Sequence, residues 1–547
     1  MMKKYSIGVD FGTLSARAVL VDIASGEICA SSEFAYPHGV IEGRFLDGTS
    51  LQDGWSIQHP NDYLVALEKT VTAVMLGDIR PEQIVGIGTD FTSSTMVSLR
   101  KNGQPLCFEE EFQNNPYAYS ILWKHHAAQT AANRINSLAE EWDEQWLARY
   151  GGKISAEWGV PKLLQICMEA PNVYENTEVW SEAADWVVWQ LTGEESHSHT
   201  TLGFKTIWDL EEGFPSEAFF EALYPGFSSA IEKFGENFIP AAEKAGTLSA
   251  RMAERLGLLA GTPVSPGMVD AYASLPAVGI SGPGEMLLIL GTSVCEILVE
   301  SDGVRVPGLC GVVKDGILPN YYAHEGAQSA GGDIFTWFVT TCCGGDSDTM
   351  HIGLTEDASK LRPGENGLIA LDWWNGNNCI LDDMHLSGIL FGLTLATSRA
   401  EIYRALLESV AFGTRVNVEQ FKKYGISINK IVASGGISQK NNLLMQIYAN
   451  VLDTPIHISS VSLGPALGSA MFGAVAAGAE AGGYDTMEEA VEAMKAGVNH
   501  TFYPNEREVE IYDRLYEIYR KLHDYFGMEE PALMYALREL KVKEEME

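Results

Sequence analysis

The sequence predicts an α/β protein built as two lobes, and three observations carry that prediction. A strand–turn–strand pattern opens the chain at residues 5–22, and the same grammar returns at residues 285–299. At 547 residues the chain exceeds what one hydrophobic core serves. Each hairpin ends in a small polar tip, which suggests a duplicated fold although no residue-level repeat is visible.

In the first half, residues 5–10 read as a strand, 11–14 as its turn and 16–22 as the returning strand. Ala24-Ser25-Gly26-Glu27 makes a second turn before a third strand at 28–34. Residues 60–76 carry apolar side chains at helical spacing, and 84–90 (IVGIGTD) read as a short buried strand. Trp-rich helices and loops fill about 120–245, and 257–266 read as a connection. The boundary falls at 275–285, which makes residues 1–280 the first lobe and 281–480 the second. The second lobe adds a helix or helix pair at 389–409, a strand at 430–434, a turn at 435–438 and a helix at 441–452. The run PALGSAMFGAVAAG at 465–478 reads as a helix packed tightly against a sheet. Residues 481–547 form a tail, helical and charged from 506 onward.

Composition narrows the function. A net charge of −36 and a pI near 4.6 repel phosphate backbones and anionic membranes, so neither nucleic acid nor a membrane surface is expected as partner. A phosphorylated ligand then needs a local device: backbone N–H groups, Mg²⁺ or a single lysine. Eight cysteines without a C-x-x-C pair make no disulfide framework, and a reducing, cytoplasmic setting is expected. The histidines at 125–126 and 197–199 lack the companions of a closed transition-metal site.

Three turns carry candidate chemistry. In Asp10-Phe11-Gly12-Thr13, Gly12 can take a positive φ and let the tip close on a phosphate, Thr13 adds a hydroxyl, and Asp10 can hold Mg²⁺ through water. Gly291-Thr292-Ser293 repeats the physics in the second half. Ala433-Ser434-Gly435-Gly436 ends a strand before a helix, where paired glycines let a flat adenine or ribose lie on bare backbone. Each turn alone fits an ordinary hairpin or loop equally well.

In this order and spacing the turns resemble the phosphate-one, phosphate-two and adenosine motifs of the actin-like ATPase superfamily. That fold is two ribonuclease H-like domains around a central cleft. Gly388-Ile389-Leu390-Phe391-Gly392-Leu393, followed by Glu401 and Glu408, looks like the C-terminal signature of the FGGY carbohydrate kinases. Trp158-Gly159-Val160-Pro161-Lys162-Leu163 is a looser match to the N-terminal one. The blocks VDFGTLSARA, VGIGTDFTSST, NPYAYSILWKHHA, GGKISAEW, GFKTIW, AHEGAQSAGGDIFTWF, LDWWNGN and VASGGISQKN resemble the members acting on ribulose. They span about residues 5–480, and His125 departs from the family's WKDHA.

The resemblance implies ATP- and Mg²⁺-dependent phosphorylation of ribulose, L- or D-, at C5, in arabinose breakdown, by a homodimer. It implies nucleotide contacts from Asp10, Gly12, Thr13, Gly291, Thr292, Ser293, Gly435, Gly436 and Asn441. Sugar contacts fall to Trp123, Lys205, Asp270 and Glu325, with Asp270 in Gly267-Met268-Val269-Asp270-Ala271 as the general base. An aspartate before a helix at 271 is equally an N-cap, and both roles can hold. Rival readings are a kinase for xylulose, glycerol or gluconate, an actin-like ATPase without sugar substrate, and a sugar-binding regulator.

Overall fold

The computed structural model describes residues 3–75, 77, 79–345 and 348–545, and each half of the chain builds a seven-stranded sheet. In the first, β1 (Tyr5–Phe11), β2 (Ser15–Asp22) and β3 (Glu27–Ala35) run antiparallel in sequence. On the other side of β1, β4 (Ile84–Phe91) pairs in parallel, followed by β5 (Pro263–Val264), with β6 (Met268–Val269) also beside β4. Strands β1 and β4 are buried along their whole length and read as continuous apolar and small runs. The edge strand β3 alternates between exposed and half-buried positions.

The second sheet repeats this order. Strands β7 (Glu285–Leu290), β8 (Val294–Glu300) and β10 (Tyr322–Gln328) are antiparallel neighbours, with β9 (Gly311–Lys314) outside β10. Strand β11 (Lys430–Ser434) runs parallel to β7, then β12 (Ile456–Ser459), and β13 (Val498–Phe502) closes the edge. Two sheets of one topology make the duplicated α/β fold that the paired hairpins predict.

Helix α1 (Asn61–Val74) covers β2 and β3; Leu76, where the sequence pattern ends it, lies outside the described residues. Helix α2 (Asp270–Ala277) starts directly after β6. Between the strands of the second half come α3 (Arg399–Lys423), α4 (Asn442–Leu452) and α5 (Gly464–Ala481).

The expected helix at 389–409 is corrected. Residues Ile389–Phe391 form a short strand paired with Ile369–Leu371, and Gly392 at φ +100° turns the chain out of it. The helix begins only at Arg399, where Ser398 and Glu401 form a capping box. Glu401 therefore caps, while Glu408 is buried against Arg404 at 2.9 Å, which makes both acids structural.

Helix α5 is the small-residue run, and it lies on the first sheet although in sequence it falls between β12 and β13 of the second. A Cβ on Gly8 would stand 1.8 Å from the Ala466 carbonyl oxygen, and one on Gly88 1.9 Å from that of Ser469. On Gly468 it would stand 1.6 Å from the carbonyl oxygen of Ala273 in α2. Backbone thus packs on backbone, which only glycine permits. One core cluster joins the halves through Val19, Leu275, Leu287, Ile297 and Met471.

The C-terminal segment is packed into the second half. Strand β13 extends the sheet, and helix α6 (Glu506–Asp524) buries Tyr512, Tyr516 and Tyr519 against Phe412. A further helix spans Ala532–Glu545; Glu547 lies outside the described residues. Among the described residues no helix is long and apolar enough to cross a membrane.

Candidate active site

Three carboxylates gather where strands of the first sheet end. Asp10 on β1 stands in register with Asp90 on β4, and Met268 of β6 pairs with Asp90, which brings Asp270 at the start of α2 to the same place. Asp90 is fully buried; its Oδ2 accepts a 2.6 Å hydrogen bond from Ser469 of α5, and its Oδ1 has no partner. Burial raises Asp90 well above the usual carboxylate range, and the charge of Asp10 adds to this. Burial also raises Asp10, against the hydrogen bond from Asp90 and the Arg17 guanidinium 3.7 Å away.

Asp270 is pushed up to about 7, first by burial and then by the charge of Asp10. Its Oδ1 accepts from the N–H of Ala271 at 2.7 Å, but Val269 holds the N-cap position and Asp270 is the first helical residue. The cap reading is therefore met only by this local bond. A carboxyl poised near neutrality suits a general base.

The first tip sits beside these acids. Thr13 Oγ1 accepts from the Trp123 indole at 3.1 Å, and the Thr13 carbonyl accepts from Gln58 at 2.6 Å. Trp123 is 38% exposed, which leaves ring surface for a ligand. Lys162 explains how that tryptophan is held: its buried ammonium donates to the carbonyls of Ser94 (2.6 Å) and Leu122 (2.7 Å). Burial lowers Lys162 to about 7. His125 points elsewhere; it is buried, accepts from Ser56 N–H at 3.3 Å and lies 3.0 Å from Gln165 Oε1. Burial drives it down to about 3, so it is neutral and structural.

Lys205 and Glu325 meet across the halves. Lys205 ends the helix His199–Lys205, and its Nζ lies 2.7 Å from Oε2 of Glu325 on β10. Tyr272, two residues along α2 from Asp270, donates to the same oxygen at 2.7 Å. Burial opposes charge on Lys205, yet the Glu325 carboxylate more than offsets it and holds the ammonium protonated. Nζ also stands 5.2 Å from the Trp158 ring centroid.

The second-half turns form a separate surface. Carbonyls of Gly291 and Thr292 accept from Gly332 (2.9 Å) and Gly331 (2.7 Å). Gly435 has φ +96°, and a Cβ there would stand 2.4 Å from the Leu290 carbonyl oxygen, so glycine is required. A Cβ on Gly436 would meet nothing within 4 Å, which leaves room for a flat ligand. Gly12 lies outside the left-handed region, so its expected positive φ is corrected; Gly291 lies outside it too. Asn441 caps α4, its Oδ1 accepting from Leu444 N–H at 3.0 Å. Among the described residues no hydrogen bond or ion pair joins tip 10–13 to tip 291–293.

Sequence reasoning missed Asp90, Tyr272 and Ser469. An aspartate ending IVGIGTD, like the one ending the first strand, was the available signal for Asp90.

Family comparison decides the class. The model of the N-terminal domain of the FGGY family of carbohydrate kinases matches residues 5–277, and that of its C-terminal domain matches residues 286–477. The chain belongs to the FGGY family of carbohydrate kinases. As an FGGY kinase it is 47% identical to the ribulokinase of Halalkalibacterium halodurans, with 99% of this chain and 98% of that one covered. Identity to the ribulokinase of Shouchella clausii is 45% at the same coverage. A solved xylulose kinase from Rhodospirillum rubrum shares the FGGY fold with a TM-score of 0.80 at 24% identity, covering 96% of this chain and 99% of that chain. FGGY kinases use ATP.

Proposed function

We infer that this FGGY kinase transfers the γ-phosphoryl group of ATP to the C5 hydroxyl of ribulose, L-ribulose first, yielding ribulose 5-phosphate in arabinose breakdown. Full-length similarity to ribulokinases supports the substrate. The observation that carries the chemistry is Asp270, a carboxyl pushed up to about 7 beside Asp10, two residues from a tyrosine that bonds Glu325.

Asp270 accepts the proton of the attacking hydroxyl as the new O–P bond forms. Lys205 and Glu325 orient the sugar hydroxyls, and Trp123 offers its ring face to the C–H side. Tips 10–13 and 291–293 present backbone N–H groups and hydroxyls to the phosphates, while Gly435, Gly436 and Asn441 border the adenosine. Asp10 would hold Mg²⁺ through water, and the ion so held would supply charge neutralisation at the phosphoryl oxygens. The acidic floor fits a hydrated cation, because Asp10 and Asp270 lie close enough for the charge of one to raise the other.

In this reading residues 1–280 supply the base and most sugar contacts, 281–480 the nucleotide surface and Glu325, and 481–547 the tail. The enzyme works in the cytoplasm as a homodimer, which light scattering checks. A coupled ADP-release assay across ketopentoses and polyols, with and without Mg²⁺, tests the whole. Turnover is expected with ribulose and Mg²⁺; stronger turnover with xylulose, glycerol or gluconate would reassign the substrate.

A further inference from the structure

The sulfurs of Cys310 and Cys379 lie 3.0 Å apart, the one thiol pair in contact among the described residues. The segments carrying them are locked together: Ile380 N–H donates to the Gly308 carbonyl at 2.6 Å. A Cβ on Gly308 would stand 2.5 Å from the Ile380 Cα, so these backbones touch. Such proximity meets the first requirement of a disulfide, backbones close enough for both Cβ atoms to reach.

Both cysteines also grip the strand that carries Glu325. Cys310 N–H donates to the Glu325 carbonyl at 2.9 Å, and Cys379 Sγ accepts from Ala327 N–H at 3.2 Å. Cys379 is buried and Cys310 partly exposed. A cavity of about 610 Å³ opens between the halves and is lined by Gly308 and Ile380, close in sequence to the two cysteines.

We propose that Cys310 and Cys379 form a reversible disulfide on exposure to a peroxide, and that this bond switches off sugar phosphorylation by displacing Glu325. The Cys310 sulfur attacks a peroxide oxygen; the O–O bond breaks and the departing hydroxide takes the thiol proton as water, leaving a sulfenic acid. The Cys379 sulfur then attacks that sulfur. An S–S bond forms, the S–O bond breaks, and the hydroxide leaves with the Cys379 proton as a second water. Two electrons pass from two thiols to one peroxide, and a dithiol reductant reverses the step. In a reducing compartment such a pair acts as a sensor rather than a staple.

Closing the sulfurs to about 2.05 Å moves them by nearly 1 Å and withdraws the acceptor from Ala327. Misplacing a substrate-orienting group by ~1 Å costs up to ~100-fold in rate. This regulation rests on the reading of Glu325 as a sugar ligand.

The test treats the full-length reduced protein with hydrogen peroxide and follows two readouts. Mass spectrometry after alkylation is expected to find a peptide joining Cys310 to Cys379, and kcat/KM for ribulose to fall at least ~10-fold, returning with dithiothreitol. Cys310→Ser and Cys379→Ser are each expected to lose no further activity on peroxide treatment relative to the same variant untreated, with an unchanged Tm showing that they fold. The linked peptide is read without sugar, so a reduced enzyme inactive on ribulose would strike the substrate reading alone. An active enzyme that gives no linked peptide, or gives it without losing activity, overturns the switch. So does inactivation that persists in both serine variants, because it would place the damage at the exposed Cys29 or Cys342.

Discussion

At equivalent places in the two sheets, next to last in the opening strand, the first half has Asp10 facing Asp90 and the second has Ile289 facing Ser434. Around the first pair gather Asp270, Arg17 and the Thr13–Trp123 contact. Around the second lie glycines, carbonyls and open backbone. On the proposed function one topology serves two tasks, proton chemistry in one copy and a neutral surface for a flat ligand in the other. Duplication supplies the position of a strand end; the side chain placed there decides its use.

The strongest way to break this contrast is Asp270→Asn. Removing a general base is expected to lower kcat by ~10²–10⁴-fold, with KM for ribulose little changed. A loss below threefold would remove the base from the first half. The wild-type pH profile sharpens the point. With Asp270 pushed up to about 7 and acting deprotonated as the proposed base, kcat/KM should fall tenfold per unit below that value and level off above it. Stability should move the opposite way. A carboxyl whose native pKa is raised binds more protons folded than unfolded between its ordinary value and about 7, so its contribution to stability declines as pH rises through that window. Asp270→Asn is accordingly expected to raise the Tm at pH 8.

Glu325→Gln tests the contact that bridges the halves. Lys205 loses its charged partner, and a lost charge-assisted bond of ~1.5–3 kcal/mol predicts a ~10–100-fold poorer kcat/KM for ribulose. Smaller again is Gly435→Ala, whose methyl would meet Leu290. A strain of ~1.4 kcal/mol transmitted to the nucleotide surface raises KM for ATP about tenfold and leaves that for sugar unchanged. Equal effects on both constants would deny the division of labour. The subtlest effect is closure: since no bond joins the two tips here, sugar plus a nonhydrolysable ATP analogue should reduce the radius of gyration in X-ray scattering.

Much of this was legible in the chain, and for local reasons. Hairpins 5–22 and 285–299 declare themselves through continuous apolar and small runs and turn chemistry, which need no distant partner. The glycine–alanine run was legible as a tightly packed helix because small residues have that one advantage. What escaped depends on register and tertiary approach. Nothing local reveals that Asp90 faces Asp10, that Tyr272 reaches Glu325, or that α5 crosses to the first sheet. Asn441, named from the sequence as a nucleotide contact, caps α4 in the structure; an asparagine before a helix serves as cap or ligand contact, and spacing does not separate the two.

The crossing of α5 has a consequence for biogenesis. Glycines 8, 86 and 88 are left bare until a segment ending at Ala481 arrives to cover them, so the first sheet cannot complete its core while its own half is emerging from the ribosome. Both lobes must mature together late in translation, through contacts more than 380 residues apart in sequence, such as Ser469 to Gly88 and Ala466 to Gly8. A fragment ending near residue 280 should therefore aggregate when made alone and recover only when the missing helix is supplied by co-expression.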